Sequence, residues 1–265
     1  MDYKQLVKDI FTLNFEAFGT RYHKLVAVLK RTFVLNSTNF SKGKNIYQVP
    51  IIINNRNRLT YLKQVIDWYQ KAGYINIVVL DNDSNYEPLL KFYESTDVKV
   101  IYLKQNLGHL ALWKSDVYKQ FYTDYYVYTD PDVVPIDNCP NDFMKHFMNL
   151  LNKYSNVEKV GFGLKIDDLP NEYDKKSEVI NWEKRHWVKQ IENDVYDAAL
   201  DTTFALYKPY TRGDLWVQNA LRTGDNYVAR HLPWYEDSAN MTEENKFYLN
   251  NIKKGASHWI VKDDK

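Results

Sequence analysis

Tyr125-Tyr126-Val127-Tyr128-Thr129-Asp130-Pro131-Asp132 is an aromatic, apolar run that stops abruptly at two carboxylates flanking a proline. The first residues suit a buried strand, and the two aspartates then fall where that strand leaves its sheet. Residues i and i+2 of an extended chain project to the same side. Pro131 fixes its own φ and stiffens that spacing. Two hard oxygen donors on one side of a strand end suit a divalent cation holding a diphosphate.

Upstream of this stretch, strands and helices alternate. Val49-Pro50-Ile51-Ile52-Ile53 is all apolar and reads as a strand buried on both faces. Thr60 to Ala72 carries a helical stripe of Leu62, Val65, Ile66 and Tyr69, and Gly73 closes it. Ile75 to Leu80 is a second buried strand, and Glu87 to Ser95 a helix with Pro88 in its first turn. Val98 to Leu103 is a third strand, His109 to Tyr122 a third helix, and Tyr125 to Thr129 a fourth strand. This alternation predicts βαβ units and a doubly wound, mostly parallel α/β sheet of Rossmann-like type, flanked by helices.

Ligands of such sheets gather at the carboxyl ends of the strands. Those ends read, in order, Asn54-Asn55-Arg56, Asp81-Asn82-Asp83, Gln105-Asn106-Leu107-Gly108 and Asp130-Pro131-Asp132. All are polar and two are acidic. Their convergence says more than any one motif.

Downstream, the alternation weakens. Phe143 to Tyr154 reads as a helix, and Val160 to Leu164 and Thr202 to Tyr207 as strands. Residues 166–190 are charged and contain tryptophan, and residues 241–253 form a terminal helix starting at Thr242-Glu243-Glu244-Asn245. At the other end, residues 3–35 form one or two amphipathic helices, and the polar residues 36–45 a linker.

Composition limits the alternatives. With 265 residues, 45% of them hydrophobic, the chain has room for a sizeable core. Lys and Arg number 35 against 34 Asp and Glu, so no global basic field argues for nucleic acid. The charge is uneven: residues 1–45 carry a net +5 and the remainder a net −4. A basic arm on a mildly acidic body suits an anionic surface, so residues 1–40 are expected to touch a membrane peripherally; a solvated helix face would have the same composition. Cys139 is the only cysteine and has no basic neighbour in sequence, so it reads as inert. No disulfide is possible, the arm lacks a signal-peptide core, and its longest apolar run is too short to span a bilayer. A cytoplasmic location is the expectation. No Gly-rich phosphate loop, CxxC pair or HExxH occurs.

With these residues in view, the chain resembles a nucleotide-sugar glycosyltransferase of the GT-A type, close to family 2, over roughly residues 46–260. Val49 to Arg56 look like that family's first nucleotide-contacting segment, Asp81-Asn82-Asp83-Ser84 like its acidic base-and-ribose turn, Asn106-Leu107-Gly108 like the turn under the donor, and Asp130-Pro131-Asp132 like its DxD motif. Asn54-Asn55-Arg56 departs from the usual Tyr-Asn, and Asn82 stands where a second Asp is frequent. The resemblance implies a domain over 46–265, with a nucleotide-binding half (46–140) and an acceptor-side half (141–265) behind the helical arm. It implies Mn²⁺ or Mg²⁺ on Asp132, with Asp130 on the ribose or a metal-bound water. Arg56 and Arg58 would meet the diphosphate or base, unless they are surface charge at a helix start. His109, after Gly108, would touch the diphosphate or sugar.

The opposite wall stays open at this point. Inverting transfer, the expected outcome, needs a carboxylate base, whereas retaining transfer, the alternative, requires none. Asp201 and the pair Glu236-Asp237 compete for that role, with a turn residue and a helix cap as their ordinary readings. His231 and His258 compete as a further metal ligand, and Trp234 and Tyr235 could stack on an acceptor. The implied reaction moves a sugar, from a UDP-sugar by default, to a glycan or glycolipid in surface polysaccharide synthesis. A sugar nucleotidyltransferase and a non-catalytic module of the same fold are the alternatives.

Overall fold

The computed structural model describes Tyr22, Leu25, Val26, Leu29, residues 44–214 and residues 219–252. The basic arm and His258 lie outside these residues, apart from the four arm positions named and the end of the linker. Among the described residues no helix is long and apolar enough to cross a membrane.

The described residues form an α/β, Rossmann-like sheet of ten strands. Strands β1 (Ile51–Asn55), β2 (Ile77–Asp81), β3 (Lys99–Tyr102) and β4 (Tyr126–Thr129) run parallel in the order β3-β2-β1-β4. Helices α1 (Thr60–Lys71) and α2 (Glu87–Ser95) join the first three, and the short α3 (Ala111–Lys114) precedes β4. The second half adds β5 (Val133–Pro135), α4 (Phe143–Lys153), β6 (Lys159–Leu164), α5 (Lys176–Glu183), β7 (Gln190–Glu192), β8 (Val195–Asp197), β9 (Phe204–Tyr207), β10 (Ala220–His231) and α6 (Glu243–Asn251). Past β4 the sheet continues as β9-β6-β10-β8-β7, with β5 on β10. β9 is antiparallel to both β4 and β6, while β6 and β10 are parallel.

β1 and β2 are buried along their whole length because both faces are covered. Ile51 and Ile53 face Leu62, Val65 and Tyr69 of α1 and Phe143 of α4. Ile52 faces the other way, towards Leu112, Trp113, Tyr126 and Tyr128. Gly73 ends α1 with φ of +94°, and Tyr74 N donates back to Tyr69 O.

Several expectations need correction. The third strand is shorter than Val98 to Leu103, and it lies at an edge of the sheet with Lys99 and Tyr102 exposed. The expected helix from His109 to Tyr122 breaks after one turn, because Ser115 is extended (φ −108°, ψ 164°), and only a 3₁₀ turn, Asp116–Gln120, follows. β9 begins at Phe204 and not at Thr202, because Thr202 and Thr203 turn aside to bond the end of β4. The long β10 has no counterpart in the sequence reading. Its register shifts between Thr223 and Val228, so Gly224-Asp225-Asn226-Tyr227 bulges from the ladder.

Candidate functional site

The carboxyl ends of the parallel strands are tied together by asparagines. Asn82 Nδ2 and Asn54 Nδ2 both donate to Gly108 O, at 2.9 and 3.3 Å, and Asn82 Oδ1 accepts from Leu107 N at 2.7 Å. Asn106 Oδ1 accepts from Gly108 N at 2.9 Å, and the Tyr128 hydroxyl donates to His109 O at 2.8 Å. The turn after β3 is thus fixed from β1, β2 and β4. Asn57 does the same for the first two turns. It takes φ of +56° and accepts from Asn85 N and Tyr86 N at 2.7 and 3.1 Å, while its own N–H donates to Ser84 Oγ at 3.0 Å. Asparagine tolerates this left-handed conformation better than most residues. Asn57 is not among the residues the sequence points to, and Asn82 enters there only as a departure from a second Asp; an Asn-rich turn after a buried strand is the signal for both.

Above these turns lies a cavity of about 500 Å³. Asn54, Asn106, Gly108 and His109 line one side, Asp130 and Asp132 an acidic corner, and Arg56, Arg58, Lys114, His231 and Tyr248 other parts of the wall. The acidic turn contributes Asn82 to this wall. Asp81 is buried and folds back to accept from Ser84 N at 2.9 Å, and its desolvation raises its pKa. Asp83 is exposed, with φ of +67°.

Arg58 is not surface charge: it is 4% exposed, bonds Asn245 Oδ1 and lies 3.6 Å from the Tyr248 ring. Arg56 donates to Asn251 O at 2.8 Å, leaving Nε buried without a partner. Glu244 accepts from Leu59 N at 2.9 Å and from Thr60 N and Oγ1, capping α1 from α6. These contacts lay α6 across the cavity as a wall.

At the acidic corner, Asp130 Oδ2 accepts from Thr202 Oγ1 at 2.9 Å, and Asp130 N donates to Thr203 O at 3.3 Å. Burial, then Asp132, then Asp201 push the Asp130 carboxyl well above its usual range. His231 Nε2 stands 3.6 Å from Asp132 Oδ1, and burial lowers the His231 pKa, favouring the neutral ring. Asp132 Oδ1 is buried with no hydrogen-bond donor. A buried carboxylate oxygen without a donor is costly unless a cation stands nearby. Among the described residues no three His, Cys, Asp or Glu side chains gather as a complete metal cage. Mg²⁺ and its like are commonly held by one or two carboxylates plus substrate phosphates. The donor set therefore fits a divalent cation that arrives with a phosphorylated ligand.

The structure separates the other candidates. Asp201 is exposed beside this corner, its Oδ1 accepting from Thr202 N at 2.9 Å. Glu236 is occupied by the Tyr61 hydroxyl and by Asn245 Nδ2. Asp237 is a turn residue, accepting from Ala239 N at 2.8 Å and Asn240 Nδ2 at 2.6 Å. Trp234 is 2% exposed, with its ring 4.6 Å from that of His231, so it supports the histidine from within and is closed to a sugar ring. The half-buried Tyr235 donates its hydroxyl to Asp168 at 2.6 Å.

No family model and no curated protein matches the chain. Among solved structures it is similar to a cytidylyltransferase from Leptospira borgpetersenii, at 14% identity and a TM-score of 0.33 over 52% of this chain and 71% of that one. It is also similar to a 4-diphosphocytidyl-2C-methyl-D-erythritol synthase from Anaerococcus prevotii, at 14% identity and a TM-score of 0.31 over 79% and 87% of the two chains. Likeness at this level does not carry those activities to this chain.

Proposed function

We propose that this chain is a nucleotide-dependent glycosyltransferase, moving a sugar from a nucleoside-diphosphate donor to a hydroxyl of a glycan or glycolipid. The observation that carries this reading is the pair Asp130 and Asp132 beside His231, at the edge of a cavity of about 500 Å³ that also holds Arg56, Arg58 and Lys114. Two carboxylates call for a cation, and the three basic side chains for a polyanion. Mn²⁺ or Mg²⁺, held by Asp132 with Asp130 and His231 beside it, would neutralise charge on the departing diphosphate. Asn54, Asn82 and the Asn106–Gly108 turn would position the nucleoside, and Arg56 and Lys114 the phosphates. The acceptor oxygen bonds the anomeric carbon as the carbon–oxygen bond to the diphosphate breaks. The hydroxyl proton goes to a carboxylate, for which Asp201, exposed and with Oδ1 bonded to Thr202 N, is better placed than Glu236 or Asp237, both of whose oxygens are engaged. Inversion follows from such a base. UDP-sugars and surface-polysaccharide acceptors are the first to try.

The test is release of nucleoside diphosphate from a panel of nucleotide sugars with Mn²⁺. Turnover should depend on the metal and vanish in Asp132→Ala. Equal turnover by that variant with every donor would sink the metal assignment. A second reading, nucleotidyl transfer, is favoured by the same three basic side chains, which suit a triphosphate. Pyrophosphate release from a nucleoside triphosphate and sugar phosphate would select it. The basic arm we assign to anionic lipid; liposome co-sedimentation unchanged by deletion of residues 1–40 would refute that.

A further inference from the structure

The segment before β9 carries Asp201, Thr202 and Thr203 to the acidic corner, and something must hold it there. Because β9 runs antiparallel to β4 and β6, this segment arrives at their carboxyl ends. On its way it crosses the sheet face above Gly161. A Cβ at Gly161 would stand 1.8 Å from Phe204 O, at the start of β9, and 3.1 Å from Leu200 Cδ1, so glycine lets β9 enter the sheet here with Leu200 packed beside it. Two buried cations rise on either side of that glycine. Lys159, two residues before it on β6, donates from Nζ to Leu200 O at 2.8 Å. Arg222, paired with Gly161 across the β6–β10 ladder, donates from Nε to Ala199 O at 2.8 Å. Arg222 also bonds Glu183 of α5 at 2.6 Å, with both side chains no more than 5% exposed.

Removing such charges from water is expensive, and an ion pair seldom repays it beyond what apolar packing would give. Stability alone is therefore a weak reason for Lys159 and Arg222 to be where they are. Their donors go to main-chain carbonyls of one short segment, the one whose next residues bond Asp130 and Thr129. Thr202 Oγ1 reaches Asp130 Oδ2, and Thr203 O accepts from Asp130 N and, at 2.6 Å, from Thr129 Oγ1.

We propose that Lys159 and Arg222, with Glu183, are positioning residues: a clamp that pins Ala199 and Leu200 to the sheet and so sets where Asp201 and Thr202 stand relative to Asp130 and Asp132. This rests on the glycosyl-transfer reading for its catalytic consequence, but the clamp itself is a structural claim. Neither cation touches the cavity, so donor binding is not their task.

Lys159→Met and Arg222→Lys test it. The second keeps a cation opposite Glu183, but its single nitrogen cannot stand at both the Nε and the Nη1 positions, so the bond to Ala199 O is lost while the ion pair guards against a variant that simply fails to fold. Hydrogen exchange read by mass spectrometry should accelerate about tenfold or more at the amides of residues 199–203 in both variants, while β1 and β2 stay as protected as in the wild type. In steady state, kcat should fall about tenfold or more with the donor KM changed less than about twofold, the signature of a misplaced group and not of a lost donor contact. Unchanged exchange at 199–203, or a loss confined to KM, would overturn the clamp. A wild-type protein that transfers no sugar would overturn the functional reading, and the exchange data would still decide the clamp.

Discussion

At Asp132 one carboxylate oxygen is buried without a donor, 3.6 Å from the His231 imidazole. That is an unfavourable arrangement in the absence of a cation, and such local cost is common where a ligand is to bind. Asp132→Ala should therefore abolish metal-dependent turnover, with a loss of about 100-fold or more, while leaving the metal-free protein's melting temperature unchanged or higher. Donor turnover and thermal unfolding of the same preparation, with EDTA and with Mn²⁺, check both halves. Asp201 and Glu236 should behave oppositely. Asp201→Asn should cost about 100-fold in kcat with donor affinity intact. Glu236→Gln should lower the melting temperature and leave kcat within about threefold, because its carboxylate joins Tyr61 to Asn245. Kinetics and calorimetry on the two variants separate base from brace.

At the scale of elements, the cavity is built by turns and a helix that brace one another. The β1–α1 turn depends on Asn57, whose positive φ and side-chain acceptor order the turn after β2. Asn57→Ala removes those bonds and strains the backbone, for a loss of about 2–3 kcal/mol in urea unfolding. Asn57→Gly, which relieves only the strain, should recover about 1 kcal/mol of it. α6 is held through Glu244 at the start of α1 and through Arg56 and Arg58. Glu244→Ala should cost about 1–2 kcal/mol as a lost cap and raise the donor KM, because the wall that carries Tyr248 loosens.

For the whole molecule, pH reports on the buried charges in the sheet. Burial pushes Lys159 down to about 8 from about 10.5. The unfolded chain therefore binds more protons than the folded one between those values, and stability rises with pH across that window. The full gain is about 3 kcal/mol. Buried Tyr69, Tyr126 and Tyr207 are shifted the other way, above the usual 10, by burial, so their contribution is lost as pH climbs past about 10. The urea midpoint should climb from about pH 8 to about 10 and then fall, and Lys159→Met should flatten the climb.

The parallel half of the fold was legible in the sequence because its signals are local. Ile51-Ile52-Ile53 can only be a strand covered on both faces, the stripe of Leu62, Val65, Ile66 and Tyr69 fixes α1, and polar strand ends mark where ligands gather. Asp130-Pro131-Asp132 stood out for the same reason: an apolar strand that ends in carboxylates needs no partner to be read. The far wall was not legible, because its chemistry depends on which distant segments meet. Gly224-Asp225-Asn226-Tyr227 bulges from a long strand that the sequence reading lacks and that delivers His231 to Asp132. Glu236, Asp237 and Asp201 look alike along the chain. Only packing shows that Glu236 is spent on Tyr61 and Asn245, that Asp237 closes its own turn, and that Asp201 stands exposed beside Asp130. The sequence by itself determined the parallel half of the sheet and the polar, acidic ends of its strands, since hydrophobic periodicity and strand-end polarity act within a few residues. The tertiary structure decided which groups oppose those ends, since hydrogen bonds across 70 or more residues, such as Thr202 to Asp130, have no trace in local pattern.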